Sequence, residues 1–573
     1  MKRKPDILSL LKPYVGIVIL LIIFTLLSNG INLLIPKIIA TTIDAFTAGN
    51  FFLQPVIIKF VIAITAIFIF TYLQSILQTY ASERVARDLR TKLSDKISNQ
   101  SYAFIEQANP SKLLTNLTAD VDSIKMFISQ AIVSITSSLF IIIGATILLI
   151  SINWKLALCV IAIIPIIGIT FFVVLRKVRA LFIQSRAVID WLNKVINESI
   201  LGAAIIRVVN SQQPEYNKFL EANTKAKDFG LSILKLFAGL IPVITFTSNM
   251  AALSILALGG RFVINGSMSL GNFAAFNSYL SMLIFPILII GFMSNVIAQA
   301  TAAYQRISNV IESPEPPETG TLKTELKGKI ELQNVNVLYG QIPVLKDISF
   351  TVSPFSKIAV IGPTAAGKTQ LLYLLTGLIK PSSGTIQFDG HVIEEYNLQA
   401  FHQQVAFVFQ DSIIFNMSIR ENIAFNDTVS DASLENAIET AELKEFVQNL
   451  PDKLNTIVSE RGSSLSGGQK QRIMLARALA LNPRVLLLDD FTSRVDNNTE
   501  KKILENIQRN YPGLTLLSVT QKIASVENYD QIILLMQGEI IAAGKHEDLI
   551  HTSPEYVQLL NSQKSTSNYE LQS

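Results

Sequence analysis

Six apolar runs, each about 20 residues long, leave this chain few folds to choose from, because that is the length a helix needs to cross a bilayer. They extend roughly from Val15 to Ile35, Phe60 to Tyr80, Ile132 to Ile152, Leu156 to Leu175, Leu236 to Leu258 and Gly271 to Ile297, and none contains Asp, Glu, Lys or Arg. Lys2, Arg3 and Lys4 resemble the start of a signal peptide. No small-residue cleavage site follows the first run, so it is expected to be a retained span. The third and fourth runs are separated only by a few residues around Trp154 and Lys155, which predicts a tight hairpin.

Positive charge sets the expected orientation. Lys2, Arg3, Lys4 and Lys12 flank the first span, and the connections after spans two and four carry most of the remaining Lys and Arg. Opposite them stand only Lys37, Lys59, Lys155 and Arg261. The amino terminus, both long connections and everything after span six are therefore expected on the cytoplasmic side of a plasma membrane. Each long connection is about 50 residues and helical in pattern: LLTNLTADVDSIKMFI places Leu114, Leu117, Val121 and Ile124 at helical spacing. The spans are expected to continue as two helical arms, with tips near Gln107 to Lys112 and near Ala203 to Gln213, that act as levers on a cytoplasmic domain.

At 573 residues the chain exceeds one domain, and its apolar excess is uneven. Only 16% of residues are charged, against about 25% in soluble proteins. The long uncharged runs stop near residue 310, and 326–573 has a soluble composition. SPEPPETGT, Ser313 to Thr321, reads as an exposed linker. The expected organisation is an all-α six-helix transmembrane domain over 1–312, a linker over 313–325, and an α/β domain over 326–573, where strand-like and helical runs alternate. A net charge of +4, dispersed along the chain, gives no basis for binding nucleic acid. Cys159 is the only cysteine and lies in an apolar run, which excludes a disulfide within the chain and fits a core thiol.

GPTAAGKT, Gly362 to Thr369, follows the apolar run KIAVI and precedes the helical QLLYLLTGLI, as a P-loop between strand and helix requires. The loop Gly362, Pro363, Thr364, Ala365, Ala366 and Gly367 would surround a polyphosphate at the helix N-terminus, every residue but Pro363 offering a backbone N–H. Lys368 would neutralise its terminal phosphates, Thr369 would ligate Mg²⁺, and Gln370 follows in the same turn. Ala365 and Ala366 stand where glycine is common, and a Cβ there would tighten the loop.

The companions resemble one family. LSGGQ, Leu465 to Gln469, followed by KQRIMLARAL, resembles the signature motif of ABC ATPases. LLLDD resembles their Walker B strand, SRVD (Ser493 to Asp496) their D-loop, Gln410 their Q-loop glutamine, Tyr339 the aromatic that stacks on adenine, and SERG (Ser459 to Gly462) the loop that senses the membrane arms. Over the whole chain the pattern is similar to an export-type ABC half-transporter, two of which dimerise around two ATP molecules. That resemblance implies ATP and Mg²⁺ as cofactors, with Thr369, Gln410 and Asp489 around the metal. It also implies that Ser466, Gly467, Gly468 and Gln469 act in trans, with Asp496 linking the two sites. A soluble chromosome-maintenance ATPase shares the signature, but the six spans exclude it.

Two positions depart from that pattern. The family's general-base glutamate corresponds to Asp490, and its switch histidine to Gln521. One methylene less withdraws the carboxylate by about 1.5 Å, and glutamine cannot titrate as a cation. With an intact signature, this implies a subunit whose own catalytic face is impaired. Its expected partner is a second half-transporter retaining the glutamate and histidine, and its cargo a hydrophobic or amphipathic molecule, since the spans carry no charge. Asn29, Asn32, Thr245, Asn249 and Asn277 either line a cavity or bridge helices. Two alternatives stay open: an ATP-gated regulatory or channel-like subunit that does not pump, and a homodimeric exporter with slow turnover.

Overall fold

A computed structural model describes residues 7–315, 320–459 and 462–570. Lys2 to Lys4, the middle of the proline-rich stretch, and Glu460 and Arg461 lie outside the described residues. The chain divides into two compact units: one holds the chain up to Asn99 together with Ala108–Pro314, the other Gln100–Gln107 and the chain from Glu315 onward.

The first unit is helical. Its six long apolar helices are α1 (Ser9–Thr47), α2 (Leu53–Ser98), α3 (Pro110–Ile152), α4 (Trp154–Leu201), α5 (Gln212–Ile264) and α6 (Leu270–Ile311). At 39–53 residues each, they are roughly 58–80 Å long at 1.5 Å per residue, about twice the hydrocarbon thickness. Each apolar run thus continues as helix past the membrane. Local chemistry fixes the turns. The Asn153 side chain accepts from the N–H groups of Lys155 and Leu156, closing the α3–α4 hairpin. Ser269 caps α6, and Asn109 caps α3 with Pro110 in its first turn. Large apolar side chains such as Ile62, Phe68, Ile169 and Phe172 remain exposed on the helices, as a lipid solvent requires.

Helix contacts in this unit combine a buried apolar cluster that includes Leu33, Leu149, Ile167 and Phe276 with close approaches of small and polar groups. Gly271 lies so close to α1 that a Cβ would sit 2.0 Å from the Ala40 carbonyl oxygen, and its N–H donates to Asp44 at 2.8 Å. Tyr279 of α6 donates to the Leu33 carbonyl at 3.0 Å. Farther along, Arg306 of α6 grips Asp120 of α3 through two hydrogen bonds, 2.9 and 2.5 Å. Asp120 is buried and sits in a π-turn, Asn116–Asp120, which interrupts the regular helix.

The second unit has two sheets. An antiparallel sheet has the order β2-β1-β4-β5: β1 Ile330–Tyr339, β2 Ile342–Val352, β4 Ser383–Phe388 and β5 His391–Val392. The other contains β3 (Lys357–Ile361), β6 (Val405–Val408), β7 (Val485–Asp489), β8 (Thr515–Val519), β9 (Gln531–Met536) and β10 (Glu539–Gly544), in the order β10-β9-β3-β8-β7-β6. Only the edge strand β10 runs antiparallel. Every residue of β7 and β8 is buried, as in a parallel sheet covered on both faces. Alternate residues feed two cores: Leu486, Leu488 and Leu516 belong to one, and Val485, Leu487 and Leu517 to the other.

The first arm tip lies a few residues earlier than expected. Gln100–Gln107, not Gln107 to Lys112, packs within the second unit. Tyr102, which opens the short helix Tyr102–Ala108, meets Tyr373 edge-on with ring centroids 5.5 Å apart, and Tyr373 in turn meets Phe407 at 5.9 Å. The second tip contains the short helix Ala203–Val208 and a turn at Asn210, with Leu201, Ile205 and Val208 strongly exposed.

Candidate nucleotide site

Three adjacent strands, β3, β8 and β7, deliver their C-terminal ends to one edge of the parallel sheet. In open α/β sheets this is where ligands bind. The P-loop leaves β3, Asp489 and Asp490 end β7, and Gln521 follows β8.

The loop between β3 and α7 (Lys368–Leu375) can be built only from certain residues. Gly362 has φ +155° and a Cβ there would lie 2.0 Å from the Leu535 carbonyl oxygen. Gly367 has φ +97° and a Cβ would meet Leu345 at 2.7 Å. Ala365 adopts φ +64°, a left-handed conformation that glycine would take without strain. Ala366 is buried, and its carbonyl accepts from the Gly538 N–H at 3.2 Å. The cradle is therefore fixed on several sides before any ligand arrives.

Lys368 is buried, and its ammonium donates to the carbonyls of Gly362 and Pro363 at 2.9 and 2.8 Å. Burial lowers its pKa, while Asp490 and Asp489 oppose that shift. Asp489 is buried, with the Thr369 hydroxyl beside it. Burial raises its pKa, and Asp490 adds to the rise against the Thr369 hydrogen bond and Lys368. A hydroxyl and a buried carboxylate are hard oxygen donors, the set that Mg²⁺ takes when substrate phosphates complete its shell. The donors therefore fit Mg²⁺ with a polyphosphate. Gln410, two residues beyond β6, is exposed, and its carbonyl accepts from the Gln471 side chain at 3.0 Å.

Asp490 occupies a left-handed conformation, φ +45°, and its N–H donates to the Val519 carbonyl at 2.9 Å. Burial raises its pKa, with Lys368 and Lys522 lowering and Glu500 raising it. Glu500, on α9 (Asn497–Asn510), is almost wholly buried, and the Lys522 ammonium lies 3.6 Å from its Oε2. Gln521 itself is exposed. Its loop is bracketed by Gln563 of α10 (Pro554–Glu570), which donates to the Gln521 carbonyl at 2.5 Å and accepts from the Ile523 N–H at 3.0 Å. Neither Glu500 nor Gln563 was among the residues that sequence reasoning selected.

Tyr339 ends β1 half-exposed and donates to Gln370 at 2.9 Å. Burial raises its pKa, helped by Glu106 and Tyr102 from the Gln100–Gln107 segment. A flat aromatic face thus stands at the first turn of α7, where a base attached to a bound polyphosphate could stack.

Ser466 caps α8 (Gly467–Leu479) in a reciprocal capping box with Gln469. Gly468 lies against the D-loop, where a Cβ would be 2.8 Å from the Arg494 carbonyl oxygen, and a Cβ on Gly467 would meet the Arg494 side chain at 3.0 Å. Among the described residues, Ser466, Gly467, Gly468 and Gln469 make no hydrogen bond to the P-loop cluster. They form a second helix N-terminus apart from the P-loop. Asp496 caps α9 by accepting from the Thr499 N–H at 2.9 Å, an interaction that holds its carboxyl below the usual range. The Glu460 and Arg461 part of SERG and the Ser493 side chain lie outside the described residues.

A unit of six long apolar helices and an α/β unit with a P-loop together define a multi-pass membrane protein carrying an ATPase domain. Residues 18–287 match the family model of the ABC transporter transmembrane region and residues 345–493 that of the ABC transporter. The uncharacterized ABC transporter ATP-binding protein YfiB of Bacillus subtilis (strain 168) is 32% identical, covering 97% of this chain and 98% of that protein. The multidrug resistance-like ATP-binding protein MdlA of Buchnera aphidicola subsp. Schizaphis graminum (strain Sg) is 30% identical over 98% and 97%. The ATP-dependent lipid A-core flippase of Syntrophus aciditrophicus (strain SB) is 30% identical over 85% and 82%. The structure of a bacterial Atm1-family ABC exporter with ATP bound superposes with a TM-score of 0.79 at 23% identity, covering 96% of this chain and 98% of that one. The chain belongs to the ABC transporter family and has the ABC exporter fold.

Proposed function

We propose that the chain is one half of an ATP-driven exporter of hydrophobic or amphipathic molecules. Its partner would be a second half-transporter that carries the general-base glutamate and switch histidine, and its own nucleotide site would hold ATP without readily cleaving it. One observation carries the asymmetry. The Asp490 backbone is tied to β8, so the chain cannot slide forward to make good the missing methylene.

In this reading Lys368 and the P-loop N–H groups bind the phosphates of ATP, Tyr339 stacks on its base, and Asp496 faces the partner. Thr369, Asp489 and Gln410 would hold Mg²⁺, and the ion would neutralise phosphate charge. Ser466, Gly467, Gly468 and Gln469 complete the partner's site. The exposed apolar residues Leu201, Ile205 and Val208 at the second arm tip support a dimer, since such a cluster needs cover. The named relatives include a lipid A-core flippase and a multidrug resistance-like protein, which supports an apolar or amphipathic cargo. The charge pattern of the connections supports a cytoplasmic amino terminus and ATPase domain.

The test is ATP turnover by the purified chain alone and after co-expression with its partner. The reading expects little turnover alone and robust turnover in the mixed complex. Comparable rates from both would overturn the asymmetric dimer. ATP-dependent accumulation in sealed vesicles separates pumping from ATP-gated opening.

A further inference from the structure

A notch of about 340 Å³ lies between α1, α3 and α6, lined by Asn32, Ser134, Ser138, Met282, Phe285 and Ile141 among others. Its depth is set by helix geometry. Asn32, Ser134, Ser138 and Ser281 lie 11 to 18 residues from the helix ends at Thr47, Ile152 and Leu270. That places them roughly 17–27 Å inside the bundle, within a hydrocarbon core of about 30 Å.

Hydrogen-bonding groups at that depth have no water to satisfy them. The neighbouring polar residues have found partners. Asn29 donates to Ser137 at 2.8 Å, and Ser281 donates to the Asn277 carbonyl at 3.1 Å. Asn32, Ser134 and Ser138 have not: among the described residues none of the three has a hydrogen-bond partner, although Ser138 is only 2% exposed. Asn32 brings two donors and one acceptor, and each serine one donor and two acceptor lone pairs. No charged side chain lines the notch, while Ile141, Met282 and Phe285 offer apolar walls.

Resting on the export reading above, we propose that this notch is a cargo subsite for an uncharged, hydroxyl- or amide-rich headgroup of an amphipath. The three free polar groups supply donors and acceptors to a neutral polar moiety. An ammonium or phosphate group would find no countercharge there, and burying an unpaired charge is costly. The volume falls at the lower end of small-molecule pockets, enough for about one sugar ring. The headgroup rather than the apolar tail is what this site discriminates.

The experiment uses the full chain in lipid nanodiscs without ATP and a dodecyl glucoside bearing a photoreactive diazirine on the sugar. Attachment within residues 133–141 and 281–289 is mapped by mass spectrometry. Unlabelled dodecyl glucoside should compete at least about tenfold better than dodecyltrimethylammonium or dodecyl phosphate. The triple variant Asn32→Leu, Ser134→Ala, Ser138→Ala should lose at least about tenfold in affinity, since each hydrogen bond contributes a few-fold. An unchanged thermal midpoint and a single symmetrical peak in gel filtration report that the variant's membrane unit has folded. As a second, independent variant, Asn32→Asp should invert the preference toward dodecyltrimethylammonium. Equal competition by the three headgroups, or unchanged affinity in the triple variant, overturns the proposal. So does disulfide formation between Ser134→Cys copies in a Cys159→Ser background, which would mean that a second copy covers the notch. Absence of ATP-driven transport would sink the export reading and leave this binding result intact.

Discussion

Lengthening one side chain should switch on the site that this chain builds for itself. Asp490→Glu moves the carboxylate forward by about one C–C bond, 1.5 Å. The backbone cannot absorb that change, because the residue's N–H is bonded to the Val519 carbonyl at 2.9 Å and Asp489 pairs with Val519 in the β7–β8 ladder. A displacement of about 1 Å at a reacting group can cost about 100-fold in rate, equivalent to about 2.7 kcal/mol. Turnover by the chain alone should therefore rise by about two orders of magnitude, with Gln521→His added to supply the titrating group. The same substitution carries a structural cost. Asp490 sits at φ +45°, a conformation that aspartate tolerates better than longer residues. Glutamate there should cost about 1 kcal/mol, lowering the thermal midpoint of a domain this size by about 2–4 °C. The assays are phosphate release by the chain in nanodiscs, thermal unfolding with and without Mg-ATP, and ATP binding as a control. A rate gain below about threefold with ATP binding intact would refute the idea that the short acid silences the site. Full activation without thermal loss would refute the backbone part of the argument.

Other consequences are local. Ala365→Gly removes left-handed strain at φ +64° and should gain up to about 1 kcal/mol, after the entropic cost of glycine, seen as a higher thermal midpoint. Arg306→Ala strips the buried Asp120 of a bidentate partner. It should cost about 1–3 kcal/mol, less than a fully buried pair because Arg306 is 54% exposed, and Asp120→Asn in the same chain should recover much of the loss. Gln563→Ala removes two hydrogen bonds from the loop that carries Gln521 and should cost about 1–3 kcal/mol of stability, seen as a lower thermal midpoint, while kcat of the mixed complex, which turns over at the partner's site, stays within about twofold. Gln563→Glu keeps the acceptor for the Ile523 N–H and should fall between the two.

What could be read from residues alone was what depends on local pattern. Twenty uncharged residues admit few solutions, and KIAVI followed by GPTAAGKT places a strand, a glycine turn and a helix in fixed order. Arm length was legible for the same reason, since nothing in the connections stops a helix. The first tip was misplaced although a signal was present. Asn109–Pro110 is a cap followed by a first-turn proline, which marks the start of α3 and moves the tip toward the amino end. Asn29 and Asn32 look equivalent in sequence, yet one bonds to Ser137 and the other faces the notch. No periodicity separates them, because the difference lies in what α3 presents opposite. Arg306 with Asp120, Lys522 with Glu500 and Gln563 with the switch loop were equally hidden, since each joins segments that are distant along the chain or carried by different elements.

That contrast bears on how Asp490 is read. The signature's capping box and the close approach of Gly468 to Arg494 are complete, although among the described residues they make no hydrogen bond to this chain's own P-loop. The capping box satisfies the N-terminal N–H groups of α8 itself, and on the proposed reading the same helix end completes another chain's site. Conversely, the short acid and Gln521 affect only the face this chain builds for itself, where the cradle, Lys368, Thr369 and Asp489 are otherwise assembled. On the proposed reading, a site that has Lys368, Thr369 and Asp489 assembled around the cradle, with Asp490 and Gln521 at the two cleaving positions, is suited to holding a nucleotide. The two faces of one domain would then serve two different sites, which the turnover comparison of the chain alone and with a partner tests.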